Sequence, residues 1–209
     1  ILGLADFADV ALRGYELLRD RSFIADGFSR ESPAYTEMYL KNLIQIPEVL
    51  HGFRWPGDFP GRKGKVNEYK SNPKLKLMLR AGLDLLRANG KYVPLSDTIV
   101  TGSPDPAIFE IALYRYPEIF SGVMPTVYRG QKGYRDLNVS TGLTKDSLRS
   151  ADPQPGEYAV FHHKDTDLKE DELELPEIFY PDWMTAILRH GESIAAMPFN
   201  PAGGHRHAD

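Results

Sequence analysis

The stretch Ile178-Phe-Tyr-Pro-Asp-Trp-Met-Thr-Ala-Ile-Leu-Arg-His-Gly-Glu-Ser-Ile-Ala-Ala-Met-Pro-Phe199 is the clearest part of a change in hydrophobic pattern that begins at about Tyr158, with a short predicted strand at residues 158–161. It contains three short apolar segments typical of β-strands, and His190-Gly-Glu192 joins the last two as a hairpin. Upstream, residues 5–20 place apolar side chains at the spacing of an amphipathic helix. Helices therefore precede strands. This order favours the α+β class, with an α-helical domain over residues 1–157 and a β domain over 158–209.

Three further helices are predicted from one shared signal, a capping residue followed by proline. The signal occurs at Ser32-Pro33, Asn72-Pro73 and Asp105-Pro106. Pro47 is expected to kink or end the first of these helices, because proline lacks the backbone N–H that an interior turn requires. Asn89-Gly90 is expected to end the second.

The composition of the 209-residue chain is that of an ordinary globular protein, with 42% hydrophobic and 26% charged residues. Its net charge of −4 argues against general binding to nucleic acid, although a local basic cleft would still accept a polyanionic sugar chain. No apolar run is long enough to cross a membrane. The chain has no cysteine, so any metal must be held by histidine, aspartate or glutamate.

Two histidines at positions i and i+2 follow a glycine pair in Asn200-Pro-Ala-Gly-Gly-His-Arg-His-Ala-Asp209. On an extended strand they project from the same face. His205 and His207 could therefore bind one metal ion together, or one could hold a metal while the other faces a substrate. The glycines let a ligand approach the backbone closely.

A long loop over residues 52–71 combines glycine and proline with several cations. Such loops are often functional. Arg54 and Arg62 are predicted to bind acidic groups of a sugar chain, and Trp55 to stack on the sugar ring. A purely solvated loop is the alternative interpretation.

The same C-terminal region carries a resemblance to a known family. The matching runs are Pro176-Glu-Ile-Phe-Tyr-Pro-Asp-Trp183, Ala186-Ile-Leu-Arg-His-Gly191 and Phe199 to Asp209 with its His-x-His-Ala-Asp end, and upstream Asp26-Gly-Phe28 with Glu31-Ser-Pro-Ala-Tyr35. In these runs the chain resembles the heparinase II/III-like polysaccharide lyases. The resemblance implies an incomplete (α/α) toroid followed by the start of an antiparallel β-sandwich, with a cleft between them for an acidic polysaccharide.

The resemblance also implies an activity, the cleavage of a uronate-containing glycan by β-elimination. It makes His207 a zinc ligand and His205 a catalytic group near the sugar. Tyr92 is the preferred catalytic tyrosine, with Tyr69 as the second candidate.

The upstream matching segment, residues 26–35, supplies the remaining predicted site residues. Ser29 stands near the position where the family often has histidine or asparagine, and Glu31 matches a carboxylate found in part of the family. The alternative interpretation of Glu31 is structural: its negative charge would stabilise the N-terminus of the following helix. Tyr35 joins the predicted substrate-binding set.

Two alternatives come from other classes: a non-catalytic carbohydrate-binding protein of the same fold, and a metal-dependent hydrolase that uses the two C-terminal histidines. The resemblance implies a periplasmic or secreted enzyme, and it leaves the oligomeric state open, a homodimer included. A sandwich needs more strands than this chain supplies. We therefore expect the sequence to be a fragment whose strands require a partner sheet.

Overall fold

The computed structural model of the protein describes most of the N-terminal part of the chain and one segment near its C-terminus. The described residues are 3–29, 31–87, 89–95, 98, 104–120, 122–123, 126–127, 175–190 and 193–199. Seven helices lie within them: α1 (Leu4–Ser22), α2 (Pro33–Leu43), α3 (Gln45–Val49), α4 (Glu68–Ser71), α5 (Pro73–Asp84), α6 (Pro106–Arg115) and α7 (Pro117–Phe120). Three strands follow: β1 (Ile178–Tyr180), β2 (Thr185–His190) and β3 (Ser193–Pro198).

The predicted change from helices to antiparallel strands is confirmed for the described residues. The proposed domain boundary at residue 158 and the strand predicted at residues 158–161 lie outside them. The incomplete toroid and the start of a sandwich stay predictions. Among the described residues, none of the helices combines the length and the apolar content that a bilayer crossing requires.

The predicted helix starts are correct because the capping side chains bind the first free N–H groups. Ser32 Oγ accepts a hydrogen bond from the Tyr35 N–H at 3.4 Å, and Asn72 Oδ1 accepts one from the Lys74 N–H at 3.1 Å. Pro47 acts as expected: α2 ends at Leu43, four residues before it, and α3 begins after a short break.

The predicted end of α5 at Asn89-Gly90 is wrong. The helix ends at Asp84, and the chain then folds back on itself, with the Val93 N–H donating to the Leu85 carbonyl at 2.9 Å. Gly90 has a φ of 73°, which favours glycine, and the Asn-Gly pair forms the turn of this small hairpin. The hairpin brings Tyr92 into the interior.

The three strands form one antiparallel sheet in the order β1-β2-β3. Ile178 is opposite Ile187 in the first pair, and Thr185 is opposite Pro198 in the second. Because side chains alternate between the two faces, the face that contains Ile187 packs on the helices, and Ile187 is fully buried.

The opposite face of the sheet carries apolar side chains that the described residues leave exposed. Phe179 and Phe199 stack on each other with ring centres 5.7 Å apart, and Leu188 and Met197 are exposed on the same side. The sheet therefore has apolar side chains on both faces.

The helical core contains large side chains with less than 2% of their surface exposed, among them Tyr15, Phe28, Leu75, Phe109 and Phe120. Helix α1 contributes Leu12 and Tyr15 to this core. Its other side also carries large apolar residues, which are exposed: Leu4, Phe7, Val10, Leu17 and Leu18.

Candidate active site

The turn Asp26-Gly27-Phe28 joins the helices to the sheet. The Asp26 carboxylate accepts hydrogen bonds from the Asp182 and Trp183 N–H groups at 2.7 and 2.9 Å. Phe28 is fully buried and stacks on Trp183, with ring centres 4.2 Å apart and planes 7° apart. Two of the runs that carry the resemblance, 156 positions apart at Asp26 and Asp182, therefore contact each other.

Gly27 fixes the turn against α5. Its φ is 91°, and a Cβ atom placed on it would lie 2.5 Å from the carbonyl carbon of Leu77. Only glycine combines this backbone conformation with so close an approach.

A second set of contacts ties the end of α5 to the sheet. Arg189 donates to the Leu86 and Asp84 carbonyls at 2.8 and 2.6 Å, and the Tyr180 hydroxyl donates to the Asp84 carboxylate. Burial raises the pKa of Asp84, and burial together with the adjacent Asp84 raises the pKa of Tyr180. Hydrogen bonds and ring stacking therefore hold the sheet in a fixed position on the helices.

The turn and the first turn of α2 bring together three of the predicted site residues, but their surroundings differ. Ser29 is buried, 2.7 Å from the Thr36 hydroxyl, and its Oγ accepts the Glu31 N–H at 3.2 Å. Glu31 and Tyr35 are partly exposed. Ser29 holds the shape of the turn, whereas Glu31 and Tyr35 are accessible from solvent.

Tyr92 is enclosed rather than exposed to a cleft. It has 3% of its surface exposed and lies against the carboxyl group of Glu37. Burial, and then the charge of Glu37, raises the pKa of Tyr92 well above its usual range. Burial also raises the pKa of Glu37 to about 8, although the Asp105 N–H donates to its carboxyl group. Both side chains therefore keep their protons near neutral pH.

A small cavity of about 10 Å³ adjoins this pair. Thr36, Glu37, Gly82 and Tyr92 contribute to its lining together with apolar side chains. The volume suits about one water molecule. A sugar ring does not fit.

The three predicted sugar-binding residues of the basic loop lie elsewhere, and of these Arg62 pairs with α1. Arg62 donates to Asp9 at 2.8 Å and forms two hydrogen bonds to Glu16 at 2.7 and 2.9 Å. Trp55 is buried, and Arg62 lies over its ring at 5.8 Å. Arg54 is exposed and has no ion-pair partner among the described residues.

His205 and His207 lie outside the described residues. Within the described part of the chain, no three histidine, aspartate or glutamate side chains are grouped as metal ligands would be. The zinc site therefore stays a prediction attached to His207.

The structure thus separates the predicted residues into two groups. Ser29, Glu31 and Tyr35 lie at the start of α2 and Tyr92 lies against Glu37 of the same helix, whereas Arg62 of the basic loop pairs with α1. Sequence reasoning missed Glu37 and the anchoring role of Asp26. A signal for Glu37 was present, because it lies four residues after Pro33 and three before Leu40, which are both buried.

Comparisons of the chain with protein-family models, curated proteins and solved structures gave no match.

Proposed function

We propose that the protein is a polysaccharide lyase that cleaves a uronate-containing glycan by β-elimination. The observation that carries this proposal is the direct contact between the Asp26–Phe28 turn and residues 180–183. Both segments contribute to the family resemblance, and their contact positions the helices and the sheet as two sides of one junction. Accessible Glu31 and Tyr35 lie on the segment that follows the turn.

β-Elimination requires three groups. The carboxylate of the uronate must be neutralised, a base must remove the proton on the adjacent carbon, and an acid must protonate the departing glycosidic oxygen. A tyrosine can perform the two proton transfers in turn, and His205 is the second group that the resemblance assigns to the sugar. In this proposal zinc would be held by His207, where its role is to stabilise the sheet region.

Solvent access favours Tyr35 over Tyr92 for the proton transfer. Tyr35 is partly exposed in the first turn of α2, whereas Tyr92 is enclosed with Glu37. A base must reach within hydrogen-bonding distance of the substrate proton. Tyr92 would therefore need a local opening of the hairpin that carries it.

The test of the function is direct, because β-elimination leaves an unsaturated uronate that absorbs in the near ultraviolet. The full chain is incubated with polymannuronate, polyguluronate, hyaluronan and chondroitin sulfate, and the absorbance is followed with and without added zinc. Product from at least one substrate supports the proposal. If the protein binds these glycans but forms no unsaturated product from any of them, the result favours a non-catalytic carbohydrate-binding protein.

A matched pair of variants tests the residue assignment. Tyr35→Phe should lower kcat by about 100-fold or more with little change in KM, which is the effect of losing a general acid or base. Tyr92→Phe should keep kcat within a few-fold, with its main effect on stability. The reverse result would return the catalytic role to Tyr92.

The second candidate function is a non-catalytic carbohydrate-binding protein. It is favoured by Ser29, whose hydroxyl is engaged with Thr36, and by the enclosure of Tyr92, since neither group is presented to a substrate.

A further inference from the structure

The basic loop, predicted over residues 52–71, forms a short hairpin at residues 52–66 with a single antiparallel bridge, and its last residues form α4. The Trp55 N–H donates to the Gly64 carbonyl at 3.0 Å, and the Val66 N–H donates to the Phe53 carbonyl at 2.9 Å. These two hydrogen bonds lie on either side of Arg54 and Lys65, which form an isolated antiparallel bridge. The pair is therefore the non-hydrogen-bonded kind, in which Cα atoms are about 4.5 Å apart and side chains are closest.

Residues opposite each other in an antiparallel pair project from the same face. Arg54 and Lys65 are both exposed, and neither has an ion-pair partner among the described residues. Two like charges placed opposite each other destabilise a hairpin. An anion bound between the two side chains would remove this repulsion.

The interior of the loop keeps this pair in place. Phe53, Trp55 and Phe59 pack together, with the Trp55 ring centre 5.0 and 5.1 Å from the other two. Arg62 fixes the loop to Asp9 and Glu16 of α1. The loop thus divides its cations: Arg62 is neutralised and structural, whereas Arg54, Lys63 and Lys65 are exposed, and of these Arg54 and Lys65 are held opposite each other by the bridge.

We propose that Arg54 and Lys65 form an anion-binding clip for carboxylate or sulfate groups of an acidic glycan, outside the helix–sheet junction. This inference rests on the proposed function and specifies its substrate as a long chain. Arg62, which fixes the same loop, contacts Asp9 and Glu16 of α1, and these lie about 10 to 20 Å along the helix axis from its end at Ser22; the loop that carries the clip is therefore fixed to α1 at a distance from the junction. A glycan that reaches both the clip and the junction must contain several sugar units.

The charge of the whole molecule favours a glycan over a nucleic acid. With a net charge of −4, the chain repels the dense phosphate backbone of a nucleic acid except at local cationic points. Two adjacent cations suit a single carboxylate or sulfate group on a chain that is less densely charged than duplex nucleic acid.

The test compares binding of uronate oligosaccharides of two and twelve units to the full chain by titration calorimetry. The clip variant is Arg54→Ala with Lys65→Ala. The control variant, Arg21→Ala with Lys70→Ala, removes the same charge from exposed positions on α1 and α4. A third variant, Arg54→Lys with Lys65→Arg, keeps both charges.

We expect the clip variant to bind the twelve-unit chain at least tenfold more weakly and with a smaller salt dependence. Its affinity for the two-unit chain should change less than twofold. The control variant should stay within twofold of the unaltered protein, and the charge-keeping variant within threefold. The clip variant should melt at the same or a higher temperature, because a repulsion has been removed.

The proposed clip would be wrong if the clip and control variants lost affinity for the twelve-unit chain equally, or if the affinity of the clip variant were unchanged. If the protein bound single-stranded DNA of equal charge more tightly than the glycan, the assignment of the ligand as a glycan would be wrong. The proposed function fails separately: if the clip variant loses long-chain binding but the unaltered protein forms no unsaturated product, the clip stands and the lyase does not. If the protein cleaves and the clip variant keeps the same dependence on chain length, the lyase stands and the clip is wrong.

Discussion

Glu37 is the residue whose protonation should affect the stability of the protein most clearly. Its pKa is raised from 4.5 to about 8 in the folded state, mainly by burial. Between these two pH values the unfolded chain has released the proton and the folded protein retains it. The free energy of unfolding should therefore fall as the pH rises from 4.5 to about 8, by at most about 1.4 kcal/mol per pH unit.

Glu37→Gln should abolish this slope, because glutamine can still accept the Asp105 N–H but does not ionise. At pH 8 we expect the variant to be more stable than the unaltered protein by about 1–3 kcal/mol. Glu37→Asp retains an ionisable group and serves as the control. Urea unfolding at pH 5, 6.5 and 8 measures the effect, and parallel pH profiles for the unaltered protein and Glu37→Gln would contradict it.

At the residue scale, the sequence indicated which kinds of side chain a sugar-binding site would use, but it did not show which of these side chains are exposed to solvent. Trp55 and Arg62 were expected to bind a sugar, but in the structure Arg62 lies over the Trp55 ring and pairs with Glu16 of α1. Burial depends on which residues far along the chain pack together. Asp9 and Arg62 are 53 positions apart, and no local pattern links them.

The turn Asp26-Gly27-Phe28 is the element that should tolerate change least. Gly27→Ala would place a Cβ atom 2.5 Å from the backbone of α5 while forcing a left-handed conformation on alanine. We expect a loss of about 3 kcal/mol or more in unfolding free energy. Thermal and urea unfolding of the purified variant measure it.

Gly82→Ala is the matched control within α5. A Cβ atom there would meet Phe109 and Tyr92 at 3.6 Å, which is ordinary contact. Because alanine favours a helix interior over glycine, this variant should be more stable by about 0.5–1 kcal/mol. If Gly82→Ala lowered the unfolding free energy as much as Gly27→Ala, any added atom in the core would be destabilising. The specific role proposed for the turn would then be wrong.

At the element scale, helix starts and the strand hairpin were predictable because their signals are local. The starts of α2, α5 and α6 follow from the capping residue and proline, and β2 and β3 from short apolar segments around a turn. Which face of a helix is buried was harder to predict from the sequence. Helix α1 is apolar on two sides, so its hydrophobic pattern could not show which side packs on the core. The Asn89-Gly90 pair is a signal both for a helix C-terminus and for a hairpin turn. In the structure it forms the hairpin turn, and α5 ends earlier, at Asp84.

At the scale of the whole molecule, the proposed lyase predicts different effects for the two C-terminal histidines. His207→Ala should remove bound zinc and lower the melting temperature, because metal affinity contributes to folding. His205→Ala should keep zinc and the melting temperature but lower kcat by about 100-fold.

Bound metal, melting temperature and elimination rate are measured on the same preparations. Arg206→Ala, between the two histidines, serves as the control and should change none of the three by much. Loss of zinc in His205→Ala alone would reverse the two assignments. Full metal content and activity in both histidine variants would remove this support for the lyase.

The chain has two tryptophans, and the structure places them at two separate positions. Trp55 is enclosed in the basic loop beside Arg62, and Trp183 stacks on Phe28 at the helix–sheet junction. Intrinsic fluorescence can therefore be assigned by position: Trp183→Phe leaves an emission signal from the loop alone, and Trp55→Phe leaves one from the junction alone. In unfolding experiments, a red shift of the junction signal before the loop signal would reveal that the sheet detaches while the helices remain folded.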